Sequence, residues 1–227
     1  MNEQLVPGIY LHQFYNKKTL NIFCDASIVK TKKSFMGCYG VVAVVEDTIL
    51  DSIYRLVSDT TNNESEIKGL RAAIGMAYQY NGCFRTINIF SDSKISIMGL
   101  TKYIYHWRYN KHDGLLYGTS RNPISNQEIF IECVQLLKGL SQGPSIICLY
   151  HQAGHVSNHY ENLRHATEVF ATSNNILGSI DMNLIRYLST YNNLVDHNSR
   201  EFLHKVSRTG VYIDPVSFFA QGKINKK

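Results

Sequence analysis

The chain has 227 residues, of which 44% are hydrophobic, and a formal net charge of +5. This composition supports one buried core, and the absence of any apolar run of membrane length and of a signal peptide excludes a membrane protein and predicts a soluble, cytoplasmic one. The five cysteines form no Cys-x-x-Cys pair, which argues against disulfides and zinc, while the positive charge favours a polyanionic partner.

The first half of the chain is predicted to form a three-stranded meander followed by a helix. Apolar and polar residues alternate over residues 19–25, 37–45 and 48–57, which is typical of strands. An apolar series at helical spacing then predicts a helix over residues 63–80.

The second half alternates between strands and helices. The predicted elements are a strand at 86–91, helices at 93–105 and 126–138, a strand at 145–150, a helix at 160–172 and a short one at 182–190. A final amphipathic helix is predicted around Val195 to Leu203. A meander followed by such alternation predicts an α/β fold with a mixed sheet.

Four acidic residues occupy the ends of these strands or the starts of these helices. They are Asp25, Glu66, Asp92 and Asp196. Carboxylates brought to one point raise each other's pKa, and they stay ionised together only if cations neutralise them. The pattern therefore indicates a phosphodiesterase that uses two metal ions.

Each of these residues also has an ordinary structural interpretation. Glu66 follows Asn63 by three positions and could belong to a capping box. Asp92 and Asp196 could cap helices, and Asp25 could be a turn residue. Capping does not explain the sequences around the four residues.

Those surrounding sequences resemble the type-1 ribonuclease H family. Asp25 stands in an Asp-Ala-Ser segment, Thr61 to Glu66 read Thr-Asn-Asn-Glu-Ser-Glu, and Asp92 stands in Ser-Asp-Ser. Trp107 follows a helix within a basic, aromatic-rich segment, and an Ala-Gly-His loop ends at His155. The resemblance implies a ribonuclease H-like fold, in which a mixed five-stranded sheet carries helices on both faces.

The resemblance also implies a division of the chain. The ribonuclease H domain is expected over residues 18–207, after an N-terminal arm at 1–17 and before a C-terminal tail at 208–227. In the family the fourth carboxylate follows the Ala-Gly-His loop closely, whereas Asp196 comes 41 positions after His155. A helical insertion is therefore expected at about 159–192, and Asp181 within it is the alternative fourth carboxylate.

The implied activity is hydrolysis of the RNA strand of an RNA/DNA hybrid, leaving 5′-phosphate and 3′-hydroxyl ends. Two Mg²⁺ ions, with Mn²⁺ as a substitute, would lie roughly 4 Å apart with Asp25 bridging them. Asp196 would complete the ion that activates water, and Glu66 and Asp92 would hold the ion at the leaving 3′ oxygen. A loop histidine would carry a proton.

The identity of that histidine is open. Gln152 occupies the position where the family has its histidine, with His151 one residue earlier and His155 three later. His155 is the candidate, although a loop histidine is more often structural. A further departure lies after Asp25, where the family has a Gly/Pro-rich turn and this chain has Ile28 and the residues that follow it.

The resemblance also implies contacts to the hybrid. Asn62 and Asn63 match family positions that reach the minor groove, and Thr61 and Trp107 match positions that line the DNA strand. The remaining nucleic-acid candidates are the basic residues Lys94, Arg108 and Lys111. Some aromatic rings of this segment could instead face the core of an amphipathic helix.

Two other functions are compatible with these features. A catalytically silent module that binds hybrids or double-stranded RNA would keep the fold, but it would be expected to lose at least one of the four carboxylates. A resolvase or integrase that cuts DNA would share both the fold and an acidic metal site. The Thr-Asn-Asn segment favours the ribonuclease.

Overall fold

The structure is a computed structural model that describes residues 8–31 and 34–209. Its elements, in chain order, are β1 (Thr19–Lys30), β2 (Phe35–Val45), β3 (Thr48–Ser58), α1 (Asn62–Gln79), β4 (Thr86–Ser91), α2 (Lys94–Thr101), β5 (Arg108–Asn110), β6 (Leu115–Tyr117), α3 (Gln127–Leu140), β7 (Ile146–His151), α4 (Tyr160–Ser173) and α5 (Met182–Thr209). Short 3-10 helices span Leu11–Gln13 and Tyr103–His106. No helix in this described part of the chain is both long and apolar enough to cross a membrane.

Five of the strands form one mixed sheet in the order β3-β2-β1-β4-β7. The meander β1-β2-β3 is antiparallel, while β4 and β7 run parallel to β1. This arrangement confirms the predicted mixed five-stranded sheet. It also brings the carboxyl-terminal ends of β4 and β7 beside the middle of β1, where Cys24 makes the last pair with β4.

Helices cover both faces of the sheet, as predicted, because β1 sends successive side chains to opposite sides. Phe23 packs with residues of α4 and α5 in one core, whereas Ile22 and Cys24 pack with α1, α2 and α3 in the other. Phe23 and Ile22 are both completely buried. The sheet therefore lies between two apolar layers.

Strand β1 is longer than the sequence predicted. It continues five residues beyond Asp25 because Ile28 and Val29, which are β-branched, pair with Gly37 and Met36 of β2. The segment where the family has a Gly/Pro-rich turn is thus part of a hairpin. Asp25 lies inside β1, one residue past the last pairing with β4.

The helix predicted over residues 93–105 is shorter than expected. Helix α2 ends at Thr101, a 3-10 turn follows, and β5 and β6 then form a separate two-stranded hairpin that the sequence analysis missed. The aromatic and β-branched side chains of Tyr103, Ile104 and Tyr105 favour helix less than the residues before them. The aromatic-rich segment therefore spans a turn and a hairpin.

Helix α5 joins two helices that were predicted separately. Its 28 residues run without interruption from the expected short helix at 182–190 into the final helix. No Gly or Pro breaks this stretch, and buried side chains recur at helical spacing along it. The buried apolar residues include Leu184, Leu188, Tyr191, Val195 and Phe202.

The predicted arm and tail are only partly described. Phe14, which falls in the arm at 1–17, is buried and packs against Phe90 and Tyr150 with ring centroids 5.9 and 5.8 Å away. At the other end, α5 continues to Thr209, and the rest of the predicted tail lies outside the described residues. The end of the expected insertion, residue 192, falls within α5.

Candidate active site

The four carboxylates singled out in the sequence line one pocket of about 430 Å³. Asp25 comes from β1, Glu66 from the second turn of α1, Asp92 from the junction of β4 and α2, and Asp196 from the middle of α5. The parallel order of β1 and β4 places Asp25 and Asp92 on neighbouring strands. Four separate elements therefore deliver negative charge to a single cavity.

Other residues perform the helix capping that these carboxylates could have performed. Thr61 caps α1, its hydroxyl accepting a hydrogen bond from the backbone N–H of Glu64 at 3.2 Å. Ser93 caps α2 and accepts from the backbone N–H of Ser96 at 3.3 Å. Asp196 lies 14 residues inside α5. The capping interpretation of Glu66, Asp92 and Asp196 is therefore wrong.

Asp25 is the most buried of the four carboxylates, with 7% of its surface exposed. One oxygen accepts a hydrogen bond of 2.6 Å from the backbone N–H of Ala26. Burial, followed by repulsion from Asp92, Asp196 and Glu66, raises its pKa to about 9. Without a cation, Asp25 would therefore be protonated at neutral pH.

Glu66 is held in place by two side chains that donate to it. The Ser93 hydroxyl donates to Oε2 at 2.5 Å, and the Asn62 amide donates to Oε1. Its pKa is nevertheless raised, because burial outweighs the hydrogen bond from Ser93. Ser93 thus links the helix start of α2 to the carboxylate of α1.

Asp92 is packed against the loop that follows β7. A Cβ atom added to Gly154 would overlap Oδ2 of Asp92, so the glycine allows this close approach. Burial raises the pKa of Asp92, while the nearby Asn192 amide opposes the rise, although no hydrogen bond of ordinary geometry joins the two. The Gln152 amide donates to Oδ1 of Asn192 at 2.7 Å and so orients it.

Asp196 differs from the other three because a cation is close to it. Nη2 of Arg200, one turn later in α5, lies 2.8 Å from both carboxylate oxygens. Nδ1 of His155 lies 3.4 Å from Oδ2, and the Ser27 hydroxyl lies 3.5 Å from Oδ1. Asp196 is 8% exposed, so this pairing compensates a largely buried charge.

The structure separates the candidates for the loop histidine. His155 is exposed, has a left-handed backbone with φ of 53°, and lines the carboxylate pocket. His151 is buried, its Nε2 lies 3.2 Å from the backbone oxygen of Asp92, and burial lowers its pKa. Gln152 is also buried. Of these three residues, His155 is therefore the one that faces the carboxylates.

Asp181, the alternative fourth carboxylate, does not line this pocket. Its Oδ2 accepts from the backbone N–H of Leu11 at 3.3 Å, and its Oδ1 accepts from that of Asn183 at 2.9 Å. These bonds tie the N-terminal segment to the start of α5. Its contacts are those of a structural residue.

Some of the predicted nucleic-acid residues line cavities, and the others are exposed on the surface. Asn62 lines the carboxylate pocket, whereas Asn63 and Trp107 line a neighbouring cavity of about 540 Å³. Trp107 packs edge-on against Phe130, with ring centroids 5.0 Å apart. The other candidates, Thr61, Lys94, Arg108 and Lys111, are exposed on the surface. The start of α1 thus lies between the two cavities.

The donor set fits a hard divalent cation. Carboxylate oxygens are the ligands that Mg²⁺ prefers in proteins. Burial and the negative charge of the other carboxylates raise the pKa of Asp25, and Arg200 is the arginine or lysine among the described residues that line the pocket. Among the described residues, no three Asp, Glu, His or Cys side chains already stand as a ligand set for one ion, so the carboxylates would have to draw together around it.

Several positioning residues escaped the sequence analysis: Ser93 beside Glu66, Arg200 beside Asp196, and two residues near Asp92. Asn192 and Gly154 both set the surroundings of Asp92, and neither was singled out as a site residue. Asn192 precedes Asp196 by four residues, so it lies on the same helix face. The spacing of four residues from Asp196 was the sequence signal that could have identified Asn192.

Comparisons with known proteins place these features in context. Residues 17–172 match the model of the family described as RNase H. Ribonuclease HI of Haemophilus influenzae is 28% identical over 119 residues, which is 50% of this chain and 67% of the relative. The matched family segment includes Asp25, Glu66 and Asp92 but ends before Asp196.

Two solved structures of a foamy viral protease-reverse transcriptase are also similar. The one in complex with dsDNA is 18% identical with a TM-score of 0.50, covering 70% of this chain and 95% of that chain. The one in complex with an RNA/DNA hybrid is 16% identical with a TM-score of 0.48, covering 68% of this chain and 20% of that chain. The first of these supports the fold.

Proposed function

Because the chain belongs to the RNase H family, we propose that it is an endoribonuclease that cleaves the RNA strand of RNA/DNA hybrids. The products would carry 5′-phosphate and 3′-hydroxyl ends. The observation that carries the proposal is the convergence of Asp25, Glu66, Asp92 and Asp196 on one pocket from four different elements.

The same four carboxylates would hold two Mg²⁺ ions, or Mn²⁺ in their place. Asp25 would be the central carboxylate of the four. When bound, such ions supply Lewis acidity at the phosphate and a water of lowered pKa. They would also offset the burial and the repulsion that raise the pKa of Asp25, so that all four carboxylates could stay ionised.

The surrounding residues set the geometry for this chemistry. Ser93 and Asn62 fix the orientation of Glu66, while Gly154 allows the close approach of Asp92 and Asn192 lies nearby. Arg200 holds Asp196 in the pocket until a cation competes for it. Catalysis by positioned charge requires this kind of preorganisation.

His155 is proposed as the group that moves a proton. Its Nδ1 lies 3.4 Å from Asp196, and its exposed ring lines the pocket in which the phosphate would sit. From there it could deliver a proton to the departing 3′ oxygen, which the buried Gln152 could not do. His151 would instead support the backbone at Asp92.

Recognition of a hybrid is proposed from the two adjoining cavities. Asn62 and Asn63 present amides at the start of α1, where they could bond to 2′-hydroxyls and base edges. Trp107, with Thr61, would line the DNA strand. Lys94, Arg108 and Lys111 would neutralise phosphates.

A cleavage assay on matched duplexes tests this function. RNA/DNA, RNA/RNA and DNA/DNA duplexes of one sequence would be incubated with the protein in Mg²⁺ and in chelator. The proposal expects cleavage of the RNA strand of the hybrid in Mg²⁺ alone. Equal cleavage of the DNA duplex would favour a resolvase or integrase, and binding of hybrid or double-stranded RNA without cleavage would favour a silent module.

A further inference from the structure

The exposed face of α5 continues away from the carboxylate pocket as a row of arginine and histidine side chains. Asp196 is followed at intervals of four residues by Arg200, His204 and Arg208. Residues four apart lie on one helix face, and each step advances about 6 Å along the axis. The row therefore extends over three helical steps from the proposed active site to the end of α5.

This row lines a groove that joins the carboxylate pocket. Arg200 and His204 line both the pocket and a second cavity of about 520 Å³, and Lys205 and Arg208 line only the second. His204 and Arg208 are exposed. The pocket and the groove therefore adjoin at Arg200 and His204.

The charge of the groove fits a polyanion. Among the described residues that line it, Glu201 is the carboxylate, and it lies 3.7 Å from Nε2 of His197. The other ionisable groups that line it are basic or histidine side chains. Lysine and arginine side chains bind nucleic-acid strands by neutralising their phosphates.

We propose that the groove beside Arg200, His204 and Arg208 binds the phosphates of the cleaved strand on one side of the cut. This inference rests on the proposed function, because it takes the carboxylate pocket as the place of cleavage. The last two turns of α5 are then a strand-binding element that adds affinity and fixes the register of the substrate. Lys205 and Arg208, which line the groove and not the carboxylate pocket, would not touch the reacting phosphate.

An alternative role for the same charges is stabilisation of the C-terminal end of α5. Cations near a helix C-terminus interact favourably with the helix dipole. That role would change the melting temperature of the protein and leave substrate affinity untouched. The two roles therefore give different measurements.

The test compares a Lys205→Gln/Arg208→Gln double variant, whose two residues line the groove and not the carboxylate pocket, with an Arg186→Gln control. Arg186 is an exposed arginine at the other end of the same helix, and it lines neither cavity. Arg200 is left intact because it pairs with Asp196. Affinity for a hybrid is measured in chelator as a function of salt, so that binding is recorded without cleavage.

The double variant is expected to bind about five- to tenfold more weakly, with a salt dependence reduced by roughly one phosphate contact. Its turnover at saturating substrate should stay within about twofold of wild type. The control should match wild type. Equal affinity and salt dependence in all three proteins would overturn the groove proposal, even if wild type cleaves the hybrid.

Substrates with a fixed cut site test the one-sided placement. A strand of DNA containing a short central RNA stretch, paired with DNA, confines the cut, and the duplex is then lengthened on either side. The deficit of the double variant should grow with lengthening on one side only. An equal deficit for both series would overturn the placement. A wild-type protein that binds hybrid through the groove but fails to cut it would contradict the proposed function and leave the groove intact.

Discussion

Gly154 faces Asp92 so closely that a Cβ atom at this position would overlap the carboxylate and lie 3.1 Å from its Cγ. The loop after β7 can pack this closely against the end of β4 because residue 154 is a glycine and has no side chain. Either the Asp92 side chain or the loop must therefore shift if residue 154 gains a methyl group. This relationship leads to the first prediction.

Gly154→Ala should lower the turnover on a hybrid by about ten- to a hundredfold, because a displacement on the order of 1 Å in a catalytic group is costly. Gly75→Ala is the matched control, since a Cβ there meets nothing within 4 Å and helix α1 favours alanine. Steady-state kinetics and thermal melting of both variants provide the check. Unchanged turnover in the first variant would show that Asp92 does not need its present position.

The raised pKa of Asp25 predicts a pH-dependent stability in chelator. The folded state binds a proton up to a pH of about 9, whereas the unfolded carboxyl loses it near 3.8. Proton binding by Asp25 therefore stabilises the folded state. This contribution to the free energy of unfolding is complete below the unfolded pKa and is lost as the pH rises through the folded pKa. The melting temperature of the metal-free protein should therefore fall between about pH 5 and pH 9.

Asp25→Asn should flatten this fall and melt at a higher temperature than wild type at pH 8 in chelator, while losing activity. Mg²⁺ should raise the melting temperature of wild type at pH 8 much more than that of the variant. Calorimetry with and without Mg²⁺ measures both effects. A parallel decline with pH in the two proteins would show that Asp25 is not the group responsible.

Asp196 and Asp181 should respond differently to the same substitution. Asp196→Asn removes a carboxylate of the proposed metal pocket and should reduce turnover by roughly a hundredfold or more. Asp181→Asn should leave turnover within about twofold, since Asp181 bonds to the backbone N–H groups of Leu11 and Asn183. An inactive Asp181 variant beside an active Asp196 variant would mean that the pocket is completed by the connection before α5.

Much of the fold could be predicted from the sequence because its signals are local. The alternation of β1 to β3, the apolar spacing of α1 and the short apolar strands β4 and β7 are all properties of neighbouring residues. The family motifs around Asp25, Glu66 and Asp92 are also short. Asp196 was harder to predict, because its long separation from His155 had to be attributed to an insertion. The structure places Asp196 in the pocket with the other three carboxylates.

The features that the sequence did not indicate depend on contacts between distant segments. The β5-β6 hairpin was hidden because its strands are only three residues long. The continuity of α5 follows from the packing of its apolar face on the sheet as much as from its composition. The fit of Gly154 against Asp92 joins residues that follow different strands, and no spacing along the chain reveals it.

The most direct measurement of the central claim uses one hybrid, one buffer and two proteins. Wild type and Asp92→Asn are compared in Mg²⁺ for cleavage of an end-labelled RNA strand and for binding of the same hybrid. Affinity should remain within several-fold, because phosphate and 2′-hydroxyl contacts lie elsewhere. We expect wild type to cut the RNA, leaving 5′-phosphate ends, and the variant to bind without cutting. Near-wild-type cleavage by the variant, or cutting of the DNA strand by wild type, would contradict this expectation.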